Sequence, residues 1–534
     1  MEIEQWYITR QCSRLSAALG SKSMSLFRLL KRLAIYILGA IALVALLFTI
    51  GVWWPEEKAQ PVYTDFPIVI RGVNVVDTIG GNLLSNQTIF INKKKIQFVG
   101  HDAELSLPDK VIEINGRGRF AIPALWDMHA HIFKVTPLLD LPLYIAYGVT
   151  NVRDMTSCPK AGDPFVPCPE DLREWNSAAL NNALIGPRIQ GISSWQLNGP
   201  GIHKRMKGLP HFFGTEDQKQ AREFVHYYAG RVDALKVYNY IPREAYFALV
   251  AEAKKVGLDV VGHRPHAVSA VEAARSQKSI EHARFILHES FSGSEALRAS
   301  VVKGSWREDR RAMLDQHDPE LANDIFEAMK ANGTWYVPTH LTRRVDAYGE
   351  DPIILEDPIL KYLHPLMKWQ WLEDVNKTIA EAPSPEGRQT YKEFYKKGLE
   401  LTGQAHRAGV KVLAGTDYIV AGITVHDELE QLVLAGLSPL DALRAATVGP
   451  SEYFGLQDEF GEIKKGMSAD IVLLNKNPLV DIKNTKAINS VIFDGNYYDR
   501  DALDNLEALV VKRARSWSIA CKILWEFIKN PVGY

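Results

Sequence analysis

The sequence predicts an α/β protein: a (β/α)8 TIM barrel with a small composite β-sandwich domain, preceded by one transmembrane helix. Three observations predict it. Short apolar strands alternate with helical stretches through the middle of the chain, the pattern of a parallel α/β architecture. The strands end near His131, Asp154, Gly191, Val237, His263, His282, Thr339 and Asp417. Eight strands over about 300 residues fit a barrel whose active site sits at the carboxyl ends of its strands. Ionisable residues gather at those ends, where a strand buried on both faces would otherwise be apolar. β-branched strands flank this middle on both sides, and an uncharged apolar run precedes everything.

The chain has 534 residues, 62 Lys+Arg against 63 Asp+Glu, and 46% apolar residues. That is ample for a large core, and the even charge balance argues against nucleic acid as a partner. Residues 1–32 read as a cytoplasmic segment and 33–54 as a transmembrane anchor. The anchor is uncharged and, at about 1.5 Å per residue, spans roughly the 30 Å of a bilayer core. Arg10, Arg14, Lys22, Arg28, Lys31 and Arg32 precede it, Trp53 and Trp54 sit at its far end, and Glu56 and Glu57 follow. The positive-inside rule then leaves the amino terminus cytoplasmic and exports the rest, giving a single-pass membrane protein with an extracytoplasmic (periplasmic) catalytic domain. The alternative, a cleaved signal peptide, lacks a small-residue cleavage site.

Residues 62–120 hold Ile68-Val69-Ile70, Thr88-Ile89-Phe90-Ile91 and Lys95-Ile96-Gln97-Phe98-Val99, the first part of the β-domain. Its second part, 457–500, holds Ile471-Val472-Leu473-Leu474 and Ser490-Val491-Ile492-Phe493. The barrel occupies 121–456, and 501–534 reads as a C-terminal amphipathic helix that docks on its own domain or lies on the membrane. Of four cysteines, Cys158 and Cys168 bracket a short Pro-rich loop, while Cys12 and Cys521 stand apart. An oxidising compartment would let the pair close a disulfide, and two free thiols fit the spacing equally.

The first barrel strand ends in His129-Ala130-His131. Side chains at i and i+2 of a strand share a face, so the two imidazoles form half of a preorganised metal site. Lys236 lies inside the strand Ala234-Leu235-Lys236-Val237. Burial makes such a lysine a nucleophilic amine able to capture carbon dioxide as a carbamate, unless its head pairs with a carboxylate. His263 and His282 each close a strand, and Asp417 follows Ala414-Gly415-Thr416. A carboxylate there can ligate a metal and accept a proton. Alternation turns Glu281 away from the lumen.

These motifs resemble the amidohydrolase superfamily, closest to its imidazolonepropionase and Xaa-Pro or Xaa-Arg dipeptidase-like branch. The resemblance covers roughly 69–496. It rests on Pro123-Ala124-Leu125-Trp126-Asp127-Met128-His129-Ala130-His131, Thr150-Asn151-Val152-Arg153-Asp154, Leu235-Lys236-Val237-Tyr238, Ser279-Ile280-Glu281-His282, Ala414-Gly415-Thr416-Asp417 and Gly461-Glu462-Ile463-Lys464-Lys465-Gly466-Met467-Ser468-Ala469-Asp470. It implies two divalent ions, usually Zn2+. His129, His131 and Asp417 would hold the more buried ion, His263 and His282 the second, with carbamylated Lys236 bridging. A hydroxide shared by the ions would attack a scissile carbonyl, and Asp417 would carry its proton to the leaving nitrogen. Some branches hold one ion, so the count stays open. Ala124-Leu125-Trp126 and His282-Ala283 replace the usual Gly-Leu-Ile and His-Gly. No ligand is lost, but Trp126 must find extra volume.

For substrate binding the candidates are Tyr238, two positions past Lys236, Arg264 and His266 beyond His263, and His340 beyond Thr339. Local pairing is the alternative for each. His426 caps or orients the helix after Asp417. The long aromatic stretch 285–404 reads as an enlarged rim or lid. The expected activity is metal-dependent hydrolysis of a C–N bond in a small amide or dipeptide-like substrate. A lactone or organophosphate ester is the alternative substrate, and a catalytically silent membrane-tethered binding protein the alternative class. Oligomeric state, including a homo-oligomer, stays open.

Overall fold

The structure is a computed structural model and describes residues 30–60, 62–102, 105–200, 209–302 and 304–529. Most of the expected cytoplasmic segment, residues 1–29 with Cys12, lies outside the described residues. The chain divides into two compact units: Met1–Glu56 with Ser516–Trp525, and Glu57–Arg515 with Glu526–Tyr534.

In the first unit nearly all of the uncharged run lies in one helix, Leu30–Trp53, which begins with Lys31 and Arg32 in its first turn and is long and apolar enough to cross a membrane. Its large side chains stand exposed, the reverse of a core helix. Pro55 follows, and a ring in place of a donor N–H forbids continuation. The C-terminal region is two helices rather than one, Arg500–Ala514 and Trp517–Lys529. Within the first unit, Trp517 packs on Trp54 with centroids 6.4 Å apart, and Trp525 on Phe48 at 6.3 Å.

The second unit begins with β1 (Ile68–Val76), β2 (Leu83–Asn92), β3 (Lys95–Gly100), β4 (Ile112–Asn115) and β5 (Phe120–Pro123). Its last strands are β13 (Ile471–Leu474), β14 (Ile488–Phe493) and β15 (Asn496–Tyr498). All eight join one sheet in the order β15-β14-β13-β5-β1-β2-β3, with β4 on β1. The seam between the two ends of the chain is antiparallel, Ile471 opposite Pro123 and Leu474 opposite Phe120. Alternating apolar residues on these strands (Ile68, Ile70, Ile89, Ile91, Ile471, Leu473) make its own core.

Between them lies a TIM-barrel-like ring. Parallel strands β6 (Leu125–Ala130), β7 (Val149–Asp154) and β8 (Arg188–Ile192) form one arc, and β9 (Ala234–Val237), β10 (Asp259–Gly262), β11 (Ser279–Glu281) and β12 (Trp335–Val337) the other. Bridges Ser193–Ala234 and Leu197–Val237 join the arcs. The eighth staff, 411–417, is less regular than expected. It meets β12 through one bridge, Tyr336–Val412, and returns to the first strand through Met128 N–H to the Ala414 carbonyl at 2.9 Å and Asp417 N–H to the His129 carbonyl at 2.8 Å. Asp127 stitches this closure, accepting from Thr416 Oγ1 at 2.7 Å. Gly415 makes it sterically feasible, since a Cβ there would lie 2.8 Å from His129 Cβ. Trp126 finds its volume below the lumen, stacked on Phe454 at 5.9 Å and edge-on to Phe460 at 5.6 Å.

The stretch 285–404 is mostly wall rather than lid. Pro319–Asn332 and Pro385–Arg407 bury apolar faces against the barrel core. Their spacing is that of amphipathic outer helices. His426 ties the helix Thr424–Leu434 to both flanks, through the Tyr147 carbonyl and Thr485 Oγ1, each at 2.9 Å. Burial lowers its pKa from 6.5 to about 4. With the folded value below the unfolded one, its contribution is intact above pH 6.5 and declines as pH falls toward 4, by roughly 3 kcal/mol at most. Thermal midpoints from pH 7 to 4.5 are therefore expected to fall, and His426→Asn to flatten part of that slope. An identical slope in the variant would rule out His426 as a contributor.

Candidate active site

Six side chains converge where the strands end. His129 is the fifth residue of β6, and His131 follows the strand. Lys236 is the third of four residues in β9, while His263 and His282 follow β10 and β11 and Asp417 ends the eighth staff. His282 and Asp417 sit at φ 71° and 47°, left-handed backbone that turns each side chain back over the mouth. All six line one cavity of about 270 Å³ together with Gln196, Tyr238, Arg284 and Arg343.

Asp417 is the hub. Its Oδ1 lies 3.0 Å from His131 Nε2 and 3.7 Å from His129 Nε2, and its Oδ2 lies 3.5 Å from His282 Nδ1. His263 and His282 meet through their Nε2 atoms at 2.9 Å. Burial pushes His131 down to about 4, and His263 and His282 well below the ordinary histidine range. Burial raises the Asp417 carboxyl, but His129, His131 and His282 more than offset it, holding it well below 3.8. Burial thus favours the neutral imidazole at His131, His263 and His282, beside a carboxylate held ionised.

This donor set fits a divalent ion. His129, His131 and Asp417 bring ligand atoms within 4.8 Å of one another. His129 Nδ1–H donates to Glu281 Oε2 at 3.0 Å, which leaves Nε2 a lone pair, buried and without a hydrogen-bond partner among the described residues. His263 Nδ1 meets Asn239 Oδ1 at 2.7 Å and His282 Nδ1 meets Thr339 Oγ1 at 2.8 Å. With both Nδ1 atoms donating, two Nε2 lone pairs face the same space, an arrangement a cation relieves. Lys236 forms no ion pair among the described residues, so the pairing with a carboxylate does not occur. Burial lowers its pKa against the pull of Asp417 and Glu281.

Four expectations need correction. Glu281 faces inward: it holds His129, and Arg153 Nη2 donates to both its oxygens at 2.9 and 3.0 Å. Ser279 and Glu281 share the lumen face of β11, and it is His282 that departs from alternation, through its positive φ. Arg264 is buried off the cavity, donating to the Val268 carbonyl at 2.7 Å and pairing with Glu289 at 3.0 Å. His266 stacks on Trp306 at 3.9 Å. Both lie in the turn beyond β10, where the chain has left the lumen. His340 bonds Thr402 Oγ1 at 3.0 Å, because Thr339 at φ 47° caps the helix His340–Tyr348 and swings its first side chain into the wall. Tyr238 does line the cavity, its ring 4.1 Å from that of His263.

Gln196, Arg284 and Arg343 were absent from the sequence candidates. Arg284, two residues past His282, carried a positional signal. Gln196 and Arg343 carried none, since their loops have no motif. Cys158 and Cys168 form a disulfide.

The profile of the Amidohydrolase family matches residues 120–497. Ochratoxinase of Aspergillus niger is 34% identical over 98 residues, 18% of this chain and 20% of that protein. The chain thus spans about a fifth of that curated relative. Among solved structures, bottromycin amidohydrolase superposes with a TM-score of 0.62 at 21% identity, over 84% of this chain and 90% of that one. A Xaa-Pro dipeptidase with bound methionine in its active site gives 0.57 at 20%, over 81% and 100%. At such identities the likeness is one of fold.

Proposed function

Because the chain belongs to the amidohydrolase family, we propose that it hydrolyses a C–N bond in a small amide or dipeptide-like substrate with the help of divalent metal, most simply zinc. The observation that carries this is the buried His129 Nε2, which has no hydrogen bond among the described residues and is aimed with His131 at an ionised Asp417 in the floor of a cavity. His129, His131 and Asp417 would hold one ion, and His263 and His282 a second. Lys236, buried and without an ion pair among the described residues, would bridge them as its carbamate. Such ions supply a Lewis acid for the carbonyl and an acidified water as nucleophile.

The chain's own groups do the rest. A carboxylate oxygen of Asp417 accepts the proton of the attacking water and returns it to the leaving nitrogen. The water oxygen ends on the acyl carbon, the C–N bond breaks, and the amine departs protonated. Tyr238 offers a phenol to a substrate oxygen, and Glu281 keeps His129 in the tautomer that ligates. The roles extend to the whole molecule: the helix Leu30–Trp53 anchors the protein in a membrane, and the barrel works on the extracytoplasmic (periplasmic) side. Support comes from Lys31 and Arg32 before the apolar stretch, Glu56 and Glu57 after it, and the Cys158–Cys168 disulfide, which suits an oxidising compartment.

The test is metal content and turnover of the purified full chain. Near two equivalents of zinc are expected, with turnover abolished by a chelator and restored by Zn2+. Screening acyl-amino acids, dipeptides, lactones and phosphotriesters separates C–N from ester hydrolysis. A chain that holds no metal and turns over none of these would be a binding protein instead.

A further inference from the structure

In the first unit the last two turns of the helix Leu30–Trp53 carry a companion. The C-terminal helix Trp517–Lys529 packs along them through three contacts in antiparallel register. Trp517 meets Trp54 with ring centroids 6.4 Å apart, and Trp525 meets Phe48 at 6.3 Å. Between these pairs Gly51 lies under Trp517 and Cys521, where a Cβ would come within 2.5 Å of the indole and 2.6 Å of Sγ. Gly51 is the one buried residue of the helix Leu30–Trp53. A small residue at the crossing is what lets two helices approach closely in lipid.

Phe48 precedes Trp54 by six residues, which is about 9 Å of helix. Indole rings such as Trp53 and Trp54 settle at headgroup level, so the contact with Phe48 draws Trp525 below that level. Lys522 is the only charged residue from Ser516 to Trp525. Its Nζ turns back to the Trp54 carbonyl at 2.6 Å and pairs with Glu56, which also accepts from Ser518 Oγ at 2.6 Å. A basic head that reaches the interface while its stem lies on apolar surface is snorkelling. The remaining charges of the helix, Glu526 and Lys529, pair with each other at 2.6 Å. Trp517 and Leu524 nevertheless stay 50% and 45% exposed, apolar area that water penalises and lipid does not.

We propose that Trp517–Lys529 is a second membrane contact, lying in the acyl–headgroup boundary of the leaflet at the carboxyl end of the anchor. Lipid is the occupant because the exposed surface is continuous with a helix whose other faces are bare and apolar, and because Lys522 is turned away from that surface toward Glu56. An amphipathic helix at this boundary sinks its apolar face by about 5–10 Å, the depth at which Phe48 holds Trp525. This rests on the reading of Leu30–Trp53 as a membrane anchor and extends it to the other end of the chain.

The test uses the full chain in phosphatidylcholine vesicles, with Cys12→Ser and Cys521→Ser removing the thiols outside the disulfide. Single fluorophores are attached through Ile37→Cys in the anchor, Leu524→Cys in the C-terminal helix and Lys254→Cys on a barrel helix, all three at exposed positions. Vesicles doped with spin-labelled acyl chains quench whichever label touches lipid. Leu524→Cys is expected to lose fluorescence as Ile37→Cys does, most strongly to spin labels near the headgroup, while Lys254→Cys keeps its own. Quenching at Leu524→Cys no greater than at Lys254→Cys, with Ile37→Cys quenched, overturns the inference and leaves the anchor standing. Both Ile37→Cys and Leu524→Cys unquenched removes the anchor reading and the inference with it. A Leu524→Cys chain that escapes quenching and instead oxidises to a disulfide-linked dimer assigns this face to a second copy, and equally overturns the proposal.

Discussion

Asp417→Asn is expected to keep the fold, to hold metal more weakly and, even when metal is replete, to lose about a thousandfold in kcat, the scale of a positioned general acid–base. The side chains are nearly isosteric, and the backbone bond from Asp417 N–H to the His129 carbonyl is untouched. What disappears is a charge held ionised by three imidazoles, which can no longer take a proton from water. Circular dichroism, metal analysis and turnover on the best substrate from the screen check the three parts separately. Wild-type rates in the variant would remove Asp417 from proton transfer.

The second large effect lies one contact deeper. Arg153 is nearly fully buried and spends its donors on the Met128 carbonyl, Ser279 Oγ, Tyr453 OH and both Glu281 oxygens. Burial raises the Glu281 carboxyl, while Arg153 and His129 offset this and hold it below 4.5. Glu281→Ala leaves a buried guanidinium uncompensated and is expected to cost about 3–5 kcal/mol. Glu281→Gln keeps the shape but weakens the hold on His129, and metal affinity is expected to fall by about 10- to 100-fold. A double substitution, Arg153→Met with Glu281→Met, would recover much of the stability without the affinity, because no lone charge remains. Thermal midpoints and zinc competition against a chelator measure both effects. Glu281→Gln binding zinc as tightly as wild type would show that His129 needs no orienting partner.

Between them these residues show how far the sequence reaches. His129 and His131 could be paired on paper because β6 is extended and period two places them together. The same period misassigned Glu281, since it presumes that the strand continues through His282, and a positive φ at that residue decides otherwise. His340 was misplaced for a related reason: Thr339 at φ 47° starts a helix where the apolar pattern suggests only a strand end. Arg264 and His266 follow a site histidine in sequence, yet the turn after β10 carries them out of the lumen.

The amino-acid sequence by itself determined the alternation of strands and helices, the apolar helix ahead of them, the six convergent side chains and the family they belong to. All of these rest on local spacing and on residue types that few other arrangements explain. Which way a side chain faces once its strand has ended, and which arginine reaches the cavity, were decided only by the tertiary structure. Backbone conformation in the left-handed region and pairing across more than a hundred residues leave no periodic trace in a chain, so Glu281 and Arg284 become visible only when the barrel closes.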